Sequence, residues 1–246
     1  ATQELGAVPV QLRPGAVTPV TEVSAADDRR TEDYERQLAA AVSAAMAEQA
    51  TSAPTPEVEK AVAGAISGIV SAYALAMAVA FVAASGRRGA DGASEASSVA
   101  SKAAKEETAR VAHRAAVGRD EAIKEYGRDV SSSARTTGGH VVPDRLDFRE
   151  HMRVQAESYA RSSGTGLREG VRYDLATLFG GTSKTWRTKR DQRVRLEHGG
   201  LEGETVPLGE PFVTLDHRHI RYPGDPDADI DLTAGCRCRL SWTLPA

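Results

Sequence analysis

Apolar and polar positions change rhythm twice along this chain. From Ala61 to Gly86, "AVAGAISGIVSAYALAMAVAFVAASG", no charged residue interrupts the sequence. A run of this length predicts one helix, either buried by its neighbours or spanning a bilayer, which takes roughly 20 apolar residues. Pro54 and Pro56 fix its start. Gly64 and Gly68 have the spacing that lets helices approach closely. Much of the run is Ala and Gly, which insert into lipid less strongly than Leu or Phe. The favoured reading is a central buried helix, with membrane contact of segment 61–86 as the alternative.

On both sides of this run, polar residues interleave with small apolar ones at helical spacing. "TEDYERQLAAAVSAAMAEQA" predicts a helix from Thr31 to about Gln49, opened by acidic residues. The stretch from Ser94 to Ala134 predicts a third helix, amphipathic and laid over the second. Its Glu106, Glu107, Arg110 and Arg114 stand three and four apart, the spacing of helical ion pairs. "DRLDFREHMRVQAESYARSSGTGLREGVRYDLATLF" reads as one or two helices broken at Gly164–Gly166.

Beyond Gly180 the rhythm turns to short alternating runs separated by turn residues, the pattern of strands. Helices first and strands last give an α+β chain. Long Ala-rich helices fill the N-terminal half, and a small mixed helix/β-strand module follows. The expected organisation is an extended arm over 1–24, carrying Pro9, Pro14 and Pro19, a helical region over 25–135, and an α+β module over 143–246.

Composition narrows the classes. A net charge of −3 excludes a general nucleic-acid-coating protein, which would be strongly basic. Two cysteines cannot build a disulfide framework. The first residues show no charged start followed by an apolar run, so no signal peptide is expected. The expected location is a reducing cytoplasm or a particle assembled there.

The candidate chemistry is concentrated late in the chain. Cys236 and Cys238 stand one residue apart. On a strand their side chains would share a face with Cα atoms ~6.5–7 Å apart, at the limit for a relaxed disulfide. Three readings remain: two packed thiols, an intermolecular disulfide, or a zinc ion shared with His198 and with His217 or His219. The C-x-C spacing is not the usual structural zinc spacing. Asp191, Arg193 and Arg195 would face one way on a strand, where an Asp–Arg pair could pin the "HGGLEG" turn that His198 opens. A His near a carboxylate could also serve as acid or base.

Lys184, Arg187, Lys189, Arg190, Arg193 and Arg195 make six basic residues in twelve, opposed only by Asp191. Such a strip suits phosphates or an acidic partner face. Trp186 is expected to plug the core of the small module. Five aspartates from Asp216 to Asp231 lack calcium-loop spacing, and "YPGDPDAD" reads first as a turn.

Taken in order, K-T-W at 184–186, D-Q-R-V-R-L-E-H at 191–198, L-E-G at 201–203, E-P-F at 210–212, Y-P-G-D-P at 222–226 and G-C-R-C at 235–238 form a string. It resembles the C-terminal module of the phage Mu F-like minor head protein family. Lys184, Trp186, Asp191, Arg193, Arg195, His198, Gly203, Phe212, Pro223, Gly224, Cys236 and Cys238 carry the resemblance, over residues 184–239. Gly180–Thr182, the stretch 161–166 and Gly235 depart from the family's usual pattern.

The resemblance implies a structural protein of a tailed-phage head, present in multiple copies near the portal. It would act in head assembly and in DNA packaging or ejection. Its partners would be the portal or the major capsid protein, with non-specific contact to the DNA backbone. It would reside in the virion interior, and in the host cytoplasm during assembly. No turnover is expected on this reading. The rivals are a metal- or His-dependent enzyme module and a single-span membrane-associated protein.

Overall fold

The computed structural model describes residues 18–20, 25–49, 53–87, 90–137 and 145–245. Residues 1–17 and 21–24 of the expected arm lie outside these. The remainder includes a short strand, β1 (Thr18–Val20), which is paired with the chain's own final strand.

Four helices follow: α1 (Ala25–Glu48), α2 (Thr55–Ala84), α3 (Ala90–Thr137) and α4 (Arg145–Leu178). α1 starts earlier than its acidic stretch suggested, at Ala25 rather than Thr31. α2 begins just after Pro54 with Pro56 in its first turn, where a missing N–H costs nothing.

One stripe of α2, Val58, Val62, Ile66, Val70, Tyr73, Met77 and Phe81, is buried at helical spacing. Against it α3 lays a ladder of alanines, Ala96, Ala100, Ala104, Ala112 and Ala115, so the two axes can run close together. α1 packs on α2 and α4, and α4 also packs on α3, which closes a four-helix bundle.

α2 is long and apolar enough to cross a membrane by length and composition. In this fold it is the bundle's central helix, and 39% of its most apolar window is buried. Its other face carries Leu75 and Val79 into solvent, and Gly64 and Gly68 there touch no other element.

α4 runs unbroken through Gly164–Gly166, so the expected break is corrected. These glycines serve close approach rather than termination. A Cβ on Gly166 would stand 2.7 Å from the Gly224 carbonyl oxygen, and one on Gly170 would meet the Tyr222 ring. The turn at 222–224 therefore lies directly on the backbone of α4.

After α4 come β2 (Ser183–Arg187), α5 (Leu196–Gly199), β3 (Thr205–Pro207), β4 (Phe212–Val213), β5 (His219–Ile220), α6 (Ile230–Thr233) and β6 (Arg239–Leu244). The main sheet has the order β1-β6-β2-β3, antiparallel throughout, with Trp186 opposite Leu240 and Lys184 opposite Trp242. β4 and β5 form a separate hairpin.

The sheet closes one end of the bundle. Trp242 meets Phe81 edge-on at 6.3 Å, and Phe81 stacks on Phe179 at 6.2 Å. The division at 143 thus separates two helices that pack on each other. The strands share one continuous hydrophobic core with the bundle.

Candidate metal centre

Two polar segments meet beneath the sheet. The first is on α4, where Thr165 follows Ser162 by three residues, and Arg168 and Glu169 follow Thr165 by three and four, so that all lie toward one face. The second is the loop 234–238, which leads into β6. The Ser162 hydroxyl accepts from the Gly235 N–H at 3.2 Å, and the Thr165 hydroxyl donates to the Cys236 carbonyl at 2.6 Å. The Arg168 guanidinium donates to the Cys238 carbonyl at 3.2 Å. The Glu169 carboxylate accepts from the Leu240 N–H at 3.1 Å. From the other side, Arg195 donates to the Ala234 carbonyl. The cysteines therefore sit in a loop held at nearly every residue. They precede the closing strand rather than lying on it.

Held this way, both thiols point inward. Cys236 and Cys238 are buried and free. Burial of both excludes the intermolecular disulfide for this fold. His198, at the end of α5 and 1% exposed, turns Nδ1 to them. The distances are 3.5 Å to Cys236 Sγ and 3.6 Å to Cys238 Sγ. The three donor atoms all lie within 4.8 Å of one another. A hydrogen bond from the Cys238 thiol, helped by His198, holds the Cys236 thiol well below the usual thiol range. The same bond, with burial, pushes Cys238 up.

The Trp186 ring stands edge-on to the imidazole at 5.2 Å and to Phe212 at 5.2 Å, walling off the inner side. His198 Nε2 is buried without a hydrogen-bond partner among the described residues. On the outer side a cavity of about 20 Å³ is bordered by Lys189, Arg193, Arg195 and Arg237. That volume admits one ion or one water and no organic substrate.

Several expected relationships are corrected by this geometry. Asp191, Arg193 and Arg195 lie in a turn before α5 and not on a strand. Asp191 takes Arg237 as its bidentate partner, at 2.7 and 2.8 Å, while its link to Arg193 is through that residue's backbone N–H. The bonds from Arg237 hold the Asp191 carboxyl below its usual range. Among the described residues, no carboxylate pairs with His198. His217 and His219 are exposed on the β4–β5 hairpin and do not join the cysteines.

The basic strip is largely consumed internally. Lys189 pairs with Asp28 at 2.9 Å, Arg190 with Glu202 at 2.8 Å, and Arg187 donates to Ser241. The aspartates of 216–231 are clamped by arginines: Arg218 binds Asp216 and Asp231, and Arg221 binds Asp225 and Asp227. Gly203 has a φ of +80°, which its turn requires. Pro223 is buried beside the α4 contact.

Lys184 leaves the strip altogether. It is fully buried, and its Nζ has no hydrogen-bond partner among the described residues. The ammonium lies 4.9 Å from the Tyr173 ring centroid and 5.3 Å from that of Phe212. Burial pushes it down to about 8. The fold thus favours the neutral amine, and ring contacts offset only part of the cost of charge. The unfolded chain titrates near the ordinary lysine value of about 10.4. Stability from this group is therefore lowest below about pH 8 and rises toward pH 10.4. Lys184→Met is expected to stabilise the protein by about 1–3 kcal/mol at pH 7, with the gain shrinking above pH 8. Urea melts at pH 7 and pH 10 check this, and equal gains at both would refute it.

No protein-family model, curated protein or solved structure matches the chain.

Proposed function

We propose that the chain is a minor head protein of a tailed phage that works by binding to other head subunits. The C-terminal unit would be its docking module, engaging the portal or major capsid protein. One observation carries this reading: the residues of the phage-like string gather around a common core although up to 54 positions separate them. Trp186 touches both His198 and Phe212, Lys184 lies over Phe212, and Cys236 and Cys238 face His198. Residues that a family shares in order, and that this fold brings into mutual contact, are what a common module would need.

Binding without turnover is supported by the same geometry. The sulfur–imidazole cluster is closed to organic substrates, and Asp191 is committed to Arg237. Meanwhile the module exposes large apolar side chains, Leu196 at 78% and Leu215 at 62%. Leu215 lies over Gly200, just after the helix that carries Leu196. Neighbouring exposed leucines are suited to a partner surface.

Quantitative mass spectrometry of purified particles tests the reading. A few copies per particle, in fixed ratio to the portal protein, are expected. Leu196→Asp with Leu215→Asp should leave the isolated protein folded and deplete it from particles by about tenfold or more, as loss of a hot spot of 1.4 kcal/mol or more requires. Absence of the wild-type chain from both mature and precursor particles would sink the proposal.

A further inference from the structure

We infer that His198, Cys236 and Cys238 bind one zinc ion through three protein ligands, with a fourth position open to a small oxygen ligand from solvent. This rests on side-chain geometry alone and is independent of the head-protein reading. Zinc bonds of about 2.05 Å to nitrogen and 2.3 Å to sulfur, at a tetrahedral angle, put the ligand nitrogen about 3.6 Å from each sulfur. Here Nδ1 stands 3.5 and 3.6 Å from the two sulfurs. Near-equal distances to both suit a cation seated between them. Sulfur and imidazole nitrogen are the donors zinc takes, and their deprotonation on binding is favoured by nearby positive charge.

The fourth ligand follows from the rim. Among the described residues, no other metal-binding side chain joins the three. The cavity that adjoins all three donors is bordered by Arg193, Arg195, Arg237 and Lys189. Among the described residues, the carboxylates beside this rim are held by its cations, Asp191 by Arg237 and Asp28 by Lys189. Two thiolates and a neutral imidazole leave zinc with no net charge, so these cations are not repelled. They would favour water in its hydroxide form, or a small oxyanion, at the open position. The loop's anchoring by Thr165 and Arg168 fixes both sulfurs before the metal arrives, which lowers the ordering cost of binding.

The test uses the full chain. Elemental analysis after dialysis against zinc is expected to give about one equivalent per chain. Cobalt(II) in its place should show the sulfur-to-cobalt charge-transfer band and the visible bands of a tetrahedral site. Chelation should lower the thermal midpoint of the wild-type protein. Cys238→Ser should weaken zinc binding by at least about 100-fold, beyond the usual effect of losing a supporting residue. The pair His217→Ala and His219→Ala should leave binding unchanged. Folded wild-type protein that takes up no zinc and gives no cobalt–sulfur band would overturn the assignment. So would stoichiometric zinc retained after both cysteines are replaced by serine.

Discussion

Replacing Glu169 by alanine is expected to destabilise the protein by about 3–5 kcal/mol, the usual cost of breaking a buried ion pair from one side. The carboxylate is fully buried. It accepts from Arg168 Nε at 2.7 Å and from the Leu240 N–H at 3.1 Å, and it faces Arg172 at 3.7 Å. Its removal leaves two buried guanidinium groups short of charge. Among the described residues, Arg168 would keep two neutral acceptors, the Thr31 hydroxyl and the Cys238 carbonyl. Arg172 would keep Asp27. The Leu240 N–H would lose its acceptor where the cysteine loop enters β6. Glu169→Gln keeps the hydrogen-bonding shape without the charge and should fall between wild type and alanine. Adding Arg168→Met to Glu169→Ala should recover part of the loss, because it removes an orphaned charge. Urea denaturation followed by circular dichroism measures all three. A loss below about 0.5 kcal/mol for Glu169→Ala would mean that water or rearrangement compensates the cations.

Much of the fold could be read from the sequence because it rests on periodicity. The uncharged run at 61–86 identified α2, and Pro54 and Pro56 placed its start. What periodicity cannot supply is the partner of a polar residue. The "SSGTGLREGVR" stretch at 162–172 was read as a break because glycines usually punctuate. Its real signal was the step of three and four through Ser162, Thr165, Glu169 and Arg172, a polar stripe where an apolar one would be buried. The GxxxG spacing drew attention to Gly64 and Gly68, whose surroundings are open, while Gly166 and Gly170 are the pair that another segment rests on. At the candidate metal centre the residue types were legible, and His198 with Cys236 and Cys238 did come together. The geometry leaves out His217 and His219, whose hairpin turns outward, and nothing local in the sequence shows that. Asp191 was likewise assigned to its sequence neighbours, when its partner Arg237 lies 46 residues away.

The glycines of α4 give a prediction whose sign separates the two readings of that stretch. In an exposed helix interior, Gly→Ala stabilises by about 0.8–1 kcal/mol. Gly166→Ala should do the opposite, because its Cβ would stand 2.7 Å from a backbone oxygen that cannot rotate away. Overpacking of that kind costs about 1–3 kcal/mol, so a net loss of about 1–2 kcal/mol is expected. Gly224→Ala should be worse. Its φ is +76°, and its Cβ would lie 2.7 Å from both the N and Cα of Gly166. The left-handed backbone adds about 1–2 kcal/mol to the clash, for a total of about 2–4 kcal/mol. Gly164→Ala is the control. Its Cβ would stand 2.6 Å from Oε1 and 2.9 Å from Cγ of Glu35, a side chain that can swing aside where backbone cannot, so this variant should lie nearer neutral than Gly166→Ala. Thermal melts of the three variants rank them directly. If Gly166→Ala proved as stable as Gly164→Ala, the 222–224 turn would not rest on α4, and the close backbone contact between bundle and module would have to be abandoned.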